Sequence, residues 1–280
     1  METKGLSPTR QVIQSPLHRH LVSLDLLRVD FGVQYSIADN WKVMLSVPYA
    51  IKNQDASVEE IESTSAAEMQ AILANQNLHH RDETYRGFSD FSLLFSHRRP
   101  GVLRDDDRFV ASLGTSIPIG KTEENPFKLG NAGIEHLHIQ FGTGTFNPLA
   151  EAHYNTPLFG DFSLSASVRG QFPFYENSKT YRGSVEVTST AEVKYDALDW
   201  LAFHTSYLGF YQSYAHWDGE RDINSGLVLN AGLLGATVNT GYGVPLRLSV
   251  MFPFQRRTLS DEGDTFELGP TVSLTMSRSF

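Results

Sequence analysis

The chain has no cysteine. That removes disulfide frameworks, iron–sulfur clusters and thiolate zinc sites together, and it fits either the cytosol or an envelope protein that avoids thiols. Apolar residues are also scarce, at 40% of 280 side chains, against roughly 45 to 50% in an ordinary globular domain. A chain of this length has room for a sizeable core and too few residues to fill one in the usual way. No run reaches the roughly 18 consecutive apolar residues that a membrane-spanning helix needs; the longest near-apolar segment, Gly226 to Val238, contains Asn230 and three glycines. Positive charge is in deficit, 23 basic against 32 acidic side chains for a net charge of -9, which argues against a basic nucleic-acid surface. The opening residues Met1 to Gly5 carry no apolar stretch, so no secretory signal is visible in the sequence given. Aromatic residues are plentiful, with 18 Phe and 11 Tyr, and global disorder is ruled out.

What the chain does have is alternation. From Trp41 to Ile51 the odd positions are Trp41, Val43, Leu45, Val47, Tyr49 and Ile51, and the even ones Lys42, Met44, Ser46, Pro48 and Ala50. That is a strand with one apolar face. Phe162, Leu164, Ala166, Val168, Phe172 and Phe174 repeat the pattern against Ser163, Ser165, Ser167, Arg169 and Gln171, as do Phe266 to Phe280 at the end of the chain. Further runs are Val29 to Ile37, Phe91 to His97, Phe109 to Ile119, Val185 to Tyr195 and Leu246 to Phe254. Short links rich in turn formers, at 38–40, 159–161, 196–199 and 241–243, alternate with long polar links near 53–86, 120–135, 175–182, 213–224 and 256–264. One end of the structure should carry tight turns and the other loops. About eleven strands are clear between Leu21 and Phe280, and a weaker one over Arg10 to His18 makes twelve.

Strands of roughly 9 to 11 residues, bracketed by aromatic side chains and joined by alternating short and long links, fit a transmembrane barrel better than a soluble sandwich. The expectation is an all-β fold, a single antiparallel up-and-down barrel of about 12 strands spanning residues 1–280, with its apolar face turned to lipid. Arg28, Asp30, Lys42, Arg169, Glu186, Glu192, Lys194 and Arg247 then fall on the opposite face as candidate lumen-lining residues. Mixed in sign, they either pair and fill a narrow interior or line a polar path. Within the long loop at 53–86, Ser57 and Glu60 are spaced as a capping box, and Val58, Ile61, Met69, Ile72 and Leu73 recur at helical intervals. A helix over about 58–74 is expected, either folded at the barrel mouth or shielding one barrel end.

Ten histidines raise the question of a metal. His136 and His138 should share one strand face, and His153 should share a face with Glu151 and Asn155. Imidazoles with a carboxylate suit zinc, copper or iron. No spacing here is a strong metal signature, so no metal and no cofactor is assigned, and hydrogen bonding in the lumen or loops is the expected use of these residues. His79 and His80 are expected to be solvated. Lys52, Arg86, Lys121, Arg182, Arg256 and Arg257, where strands meet long loops, are placed to meet lipid phosphates or solvent. Enzymatic signatures are missing: no Gly-x-Ser-x-Gly, P-loop or dinucleotide fingerprint occurs, and His204 and Ser206 are too far apart along one strand for a ready nucleophile–base contact. A non-enzymatic role is expected.

Three segments carry a resemblance. A final amphipathic strand with Val272, Leu274, Met276 and Phe280 in phase resembles the C-terminal assembly signal of bacterial outer-membrane proteins, with Arg278 as a departure from it. The segment Tyr35 to Tyr49, a strand, an Asp39-Asn40 turn and a strand ending Pro48-Tyr49, resembles a hairpin of the outer-membrane transporter-like proteins often associated with the meta-pathway of phenol degradation. Ile139 to Pro148 is similar to that group's Gly-rich hairpin start. The resemblance implies a bacterial outer-membrane location, with a signal peptide belonging to a precursor. It further implies outer-membrane lipid and lipopolysaccharide as surroundings, and recognition by barrel-assembly machinery through the strand ending at Phe280. It also implies a porin- or transporter-like channel for a small solute or ion. The alternative is a structural barrel that anchors partner proteins at its long loops.

Overall fold

The computed structural model describes residues 2–138 and 140–278. In chain order the strands are β1 (Glu2–Leu6), β2 (Val12–Ala38), β3 (Trp41–Glu60), β4 (Glu83–Phe88), β5 (Phe91–Pro100), β6 (Arg108–Ile117), β7 (Pro148–Pro157), β8 (Phe162–Gln171), β9 (Tyr181–Arg182), β10 (Glu186–Leu198), β11 (Leu201–Gln212), β12 (His216–Trp217), β13 (Glu220–Arg221), β14 (Leu227–Asn239), β15 (Pro245–Thr258) and β16 (Thr271–Met276). Helix α1 (Ala66–His79) follows β3, and α2 (Pro126–Asn131) follows β6. The main sheet has 13 strands in the order β1-β2-β3-β5-β6-β7-β8-β10-β11-β14-β15-β16, with β4 beside β3; β9, β12 and β13 form a separate small sheet. Each strand of the main path pairs antiparallel with its neighbours, as an up-and-down order requires.

Register decides what each face carries, because a strand's side chains alternate with a period of two. One cross-strand row reads Lys42, Ser96, Ser112, Glu151, Arg169, Thr188 across six neighbouring strands. The adjacent row reads Tyr35, Val43, Phe95, Leu113, Ala150. The first row is polar and inward. The second is apolar and outward, with Tyr35, Phe95 and Leu113 all exposed. Aromatic pairs frame this outer face: Trp41 with His97 and Phe162 stacked on Tyr195 toward the tight turns, Tyr49 with Phe88 and Phe88 with Phe91 toward the loops. Sparse apolar composition is therefore sufficient, since one face needs apolar side chains and the other does not.

The sheet curls around its polar face. Glu192 on β10 and Arg247 on β15 form an ion pair although β11 and β14 lie between them. At about 4.8 Å per strand, three strand spacings on a flat sheet would separate them by roughly 14 Å. His204 on β11 likewise bonds Ser249 on β15 at 2.9 Å. Gly235 on the intervening β14 makes this possible, because a Cβ there would sit 2.3 Å from the His204 Nε2.

Several expectations are corrected. The sheet is not closed, and the described residues hold sixteen strands rather than about twelve. Direction and height explain the open seam. β2 and β16 both run toward the tight turns, since Val29 pairs antiparallel with Tyr49 and Met276 with Leu246. β1 is antiparallel to β2 but reaches only to the Glu2–His18 pair at the loop end, whereas β16 lies at the turn end. Residues 12–18, expected as a first strand, are the start of β2 itself, which continues unbroken for 27 residues. The helix is also displaced. Residues 53–60 are the end of β3, paired with β2 as far as His18–Glu60. Val58 is thus a strand residue and Ile61 follows the strand, while Met69, Ile72 and Leu73 lie in α1. A continuous ladder to a neighbouring strand outweighs a helical spacing within one segment. The capping box is Ser65 with Glu68, whose carboxylate accepts from the Ser65 N–H at 2.9 Å. Of the C-terminal strand, residues 271–276 pair with β15; Phe280 lies outside the described residues, as does Ile139.

The assignment of faces can be tested at β8. Val168 lies outward, midway between Phe162 and Phe172, and Ser167 lies inward against Thr190 at 2.7 Å. Val168→Arg should destabilise the folded protein in lipid by about 2 to 4 kcal/mol, and Ser167→Arg should cost clearly less. Denaturant titration in lipid vesicles reads the difference; equal losses would contradict the register.

Candidate functional site

The inward row opens into a cavity of about 600 Å³ lined from β2 to β10. Lys42, Arg98, Glu151, His153 and Arg169 supply its ionisable groups, and Gln34, Asn40, Ser96 and Ser112 its neutral polar ones. Glu151 is nearly buried and held from two sides, by the Arg169 guanidinium at 2.6 Å and the His153 Nε2 at 3.3 Å. Its charge is spent on those partners. Among the described residues Lys42 and Arg98 have no carboxylate within ion-pair distance, so the cavity presents excess positive charge at the turn end.

The other expected inner-face residues divide into local pairs. Arg28 bonds Asp30 at 2.8 Å along β2, with both side chains about half exposed. Lys194 pairs with Asp196 at 2.9 Å, Glu186 accepts from Gln212 at 2.9 Å, and Glu192 takes Ser206 at 2.8 Å as well as Arg247. Only Lys42 and Arg169 of the eight line the cavity. Arg98 was missed because the alternation was followed only to His97; one residue further it falls on the face of Ser96.

Toward the loop end the inner face is occupied by the chain itself. Phe141 packs in a buried cluster with Ala50 and Tyr85, and Leu137 lies against it. Lys52 reaches over the Phe141 ring at 4.4 Å and donates to the Gln140 carbonyl at 3.0 Å. That overturns its expected place among lipid phosphates or solvent. Asp90, in the break between β4 and β5, holds the segment from the other side. It accepts from the Gly120 N–H at 3.0 Å, the Thr143 N–H at 2.7 Å and the Thr143 hydroxyl at 2.8 Å. Gly142 permits this approach, since a Cβ there would lie 2.1 Å from the Asp90 Oδ1. Buried Asn147 adds bonds to Ser116 and Thr143. Residues 120–147 thus form an inward plug rather than the strand expected to carry His136 and His138.

The plug is roofed. Asp218, beside the small sheet, accepts from Asn125 at 2.6 Å and Lys128 at 2.8 Å, while Lys179 donates to the Thr122 carbonyl at 2.7 Å. Helix α1 packs on β1, β2 and β3 beside this roof.

Histidines gather under α1. His136 and His138 meet His79, not His153, which stays on β7 with Glu151. His79 and His80, expected to be solvated, are partly buried in the group, and His18 and His20 of β2 extend it. Burial, then the neighbouring imidazoles of His136, His80 and His20, push the His79 ring down to about 3. His138 is also lowered to about 3, by burial of its ring among these neighbours even though part of the residue remains exposed.

No protein-family profile and no curated protein sequence matches this chain. Among solved structures it is similar to an outer membrane channel from Pseudomonas putida F1, with a TM-score of 0.55 over 98% of this chain and 87% of that one, at 10% sequence identity. At that identity the likeness is one of fold alone, that of a β-barrel.

The plug's tether yields a prediction. Asp90→Ala leaves the Gly120 and Thr143 donors without their acceptor, a loss of about 1 to 3 kcal/mol where such groups are buried. Amide hydrogen exchange at 120 and 143–147 should quicken while β10 and β11 stay protected. Unchanged exchange in the plug would show that Asp90 does not hold it.

Proposed function

We propose that this protein is a channel- or transporter-like barrel of the bacterial outer membrane that passes a small polar solute or ion through a narrow inner path. The observation that carries the reading is the cavity with Lys42 and Arg98 unpaired beside the Arg169–Glu151 pair, on the inner face of a sheet whose outer face is apolar and framed by aromatics. A purely structural wall has no need of inward cations left without partners and open to a cavity. The likeness to an outer membrane channel supports the reading at the level of fold. On this reading the chain is surrounded by lipid and lipopolysaccharide, and its C-terminal strand ending at Phe280 is the part presented to barrel-assembly machinery. The solute class favoured by the cavity is anionic, since fixed positive charge in a narrow path raises the local concentration of anions.

Conductance in planar bilayers tests this. Small, discrete currents with anion preference are expected, and Lys42→Gln with Arg98→Gln should shift the reversal potential in a salt gradient toward zero. Phe141→Ala should raise the current by thinning the plug. A protein that stays silent with and without Phe141 would overturn the channel and leave the anchoring barrel as the better account.

A further inference from the structure

We propose that His79, His136 and His138 form a binding site for a borderline-soft divalent transition-metal ion, with Zn²⁺ as the type case, beneath α1 at the loop end. One imidazole nitrogen from each lies within 4.8 Å of those of the other two. Nitrogen ligands about 2.0 to 2.1 Å from a tetrahedral zinc stand roughly 3.3 Å apart, so small side-chain rotations suffice to close on an ion. The two segments that bring the ligands are already clamped. The His136 N–H donates to the Leu78 carbonyl at 3.0 Å, fixing the 132–138 stretch against the last turn of α1 and satisfying one of the carbonyls a helix end leaves open.

Proton placement favours a ligand role. A carbonyl only accepts, so the His136 Nδ1–H donates to the Ile134 carbonyl at 2.9 Å and leaves the Nε2 lone pair facing the cluster. This is the outer-shell arrangement that fixes the tautomer of a metal-ligating histidine. That lone pair now accepts from the His79 Nδ1–H at 2.8 Å. An ion would take its place, with the His79 proton moved to Nε2 or the ring turned over.

A second observation lies at the far end of the same series of rings. His18 is fully buried, and its Nδ1 is bonded to the Pro16 carbonyl at 2.8 Å. Its Nε2 is buried with no hydrogen-bond partner. A buried acceptor without a donor is costly, and the ring that carries it heads a series that runs through His20 and His80 to His138 at centroid separations of 5.0, 5.9 and 5.4 Å. A set of neutral nitrogen donors selects zinc, copper or nickel over magnesium or calcium, which prefer oxygen.

Titration of Zn²⁺ and Co²⁺ into tag-free, chelator-stripped protein in detergent tests the site, by calorimetry for zinc and visible absorption for cobalt. One ion per chain is expected, with cobalt giving the spectrum of a nitrogen-ligated tetrahedral site. His136→Ala and His138→Ala should each weaken binding about tenfold or more, and His97→Ala, on the outer face beside Trp41, should not. Lack of saturable binding by the unaltered protein would overturn the site, and so would equal weakening by His97→Ala. Strand content by circular dichroism shows whether each variant is folded. Binding is read without any current, so failure here and failure of the channel reading are separate results.

Discussion

Everything in this molecule depends on a cross-strand register that keeps one row polar and the next apolar through six consecutive strands. A slip of one residue along these strands would put Glu151 and Arg169 on the outer face and Leu113 and Phe95 on the inner one. The ion pairs that cross the inner face penalise such a slip. Arg169 finds Glu151 directly opposite on the neighbouring strand, and Arg247 finds Glu192 only because the sheet curls. Alternation supplies the pattern, and the inward charges hold each strand to it.

The same curvature sets what the interior can be. At the turn end several inner side chains are short, Ser96 bonding Ser112 at 2.8 Å, and space is left for a cavity. At the loop end the chain turns back on itself, and residues 120–147 fill the space through Phe141 and the Asp90 carboxylate. The plug is fastened by polar contacts more than by apolar burial, and its apolar cluster is small. A plug so held can shift without unmaking the sheet around it.

How far the sequence alone discloses this structure depends on the distance over which each feature is encoded. Strand faces are local: Trp41 to Ile51 and Phe162 to Phe174 state their own periodicity, and the structure keeps both phases. The limits of β3 are not local. Val58 and Ile61 have helical spacing with Met69 and Ile72, yet residues 53–60 stay in the sheet because β2, 27 residues long, offers a partner as far as His18. Alternation assigns the charged residues a face but does not name their partners. Arg28 takes Asp30 two residues away, whereas Arg247 reaches across two strands to Glu192. His136 and His138 were legible as a pair, and their meeting with His79 was not. That meeting depends on where α1 ends and on the Leu78–His136 main-chain bond, neither of which is marked by spacing.

The histidine group and the plug are joined by very little chain. His138 is three residues from Phe141, and Gln140 between them gives its carbonyl to Lys52 and its side-chain oxygen to the Glu123 N–H at 2.9 Å. Any force that fixes His136 and His138 against α1 therefore fixes the plug at its α1 end, while Asp90 holds it at Gly120 and Thr143. With only the hydrogen bonds seen here, the α1 end is held by the Leu78–His136 bond and the contact between His79 and His136. Each such bond contributes on the order of 1 kcal/mol. An ion bridging the imidazoles would make that end the firmer of the two, and occupancy of the histidines would then decide which end of the plug yields first.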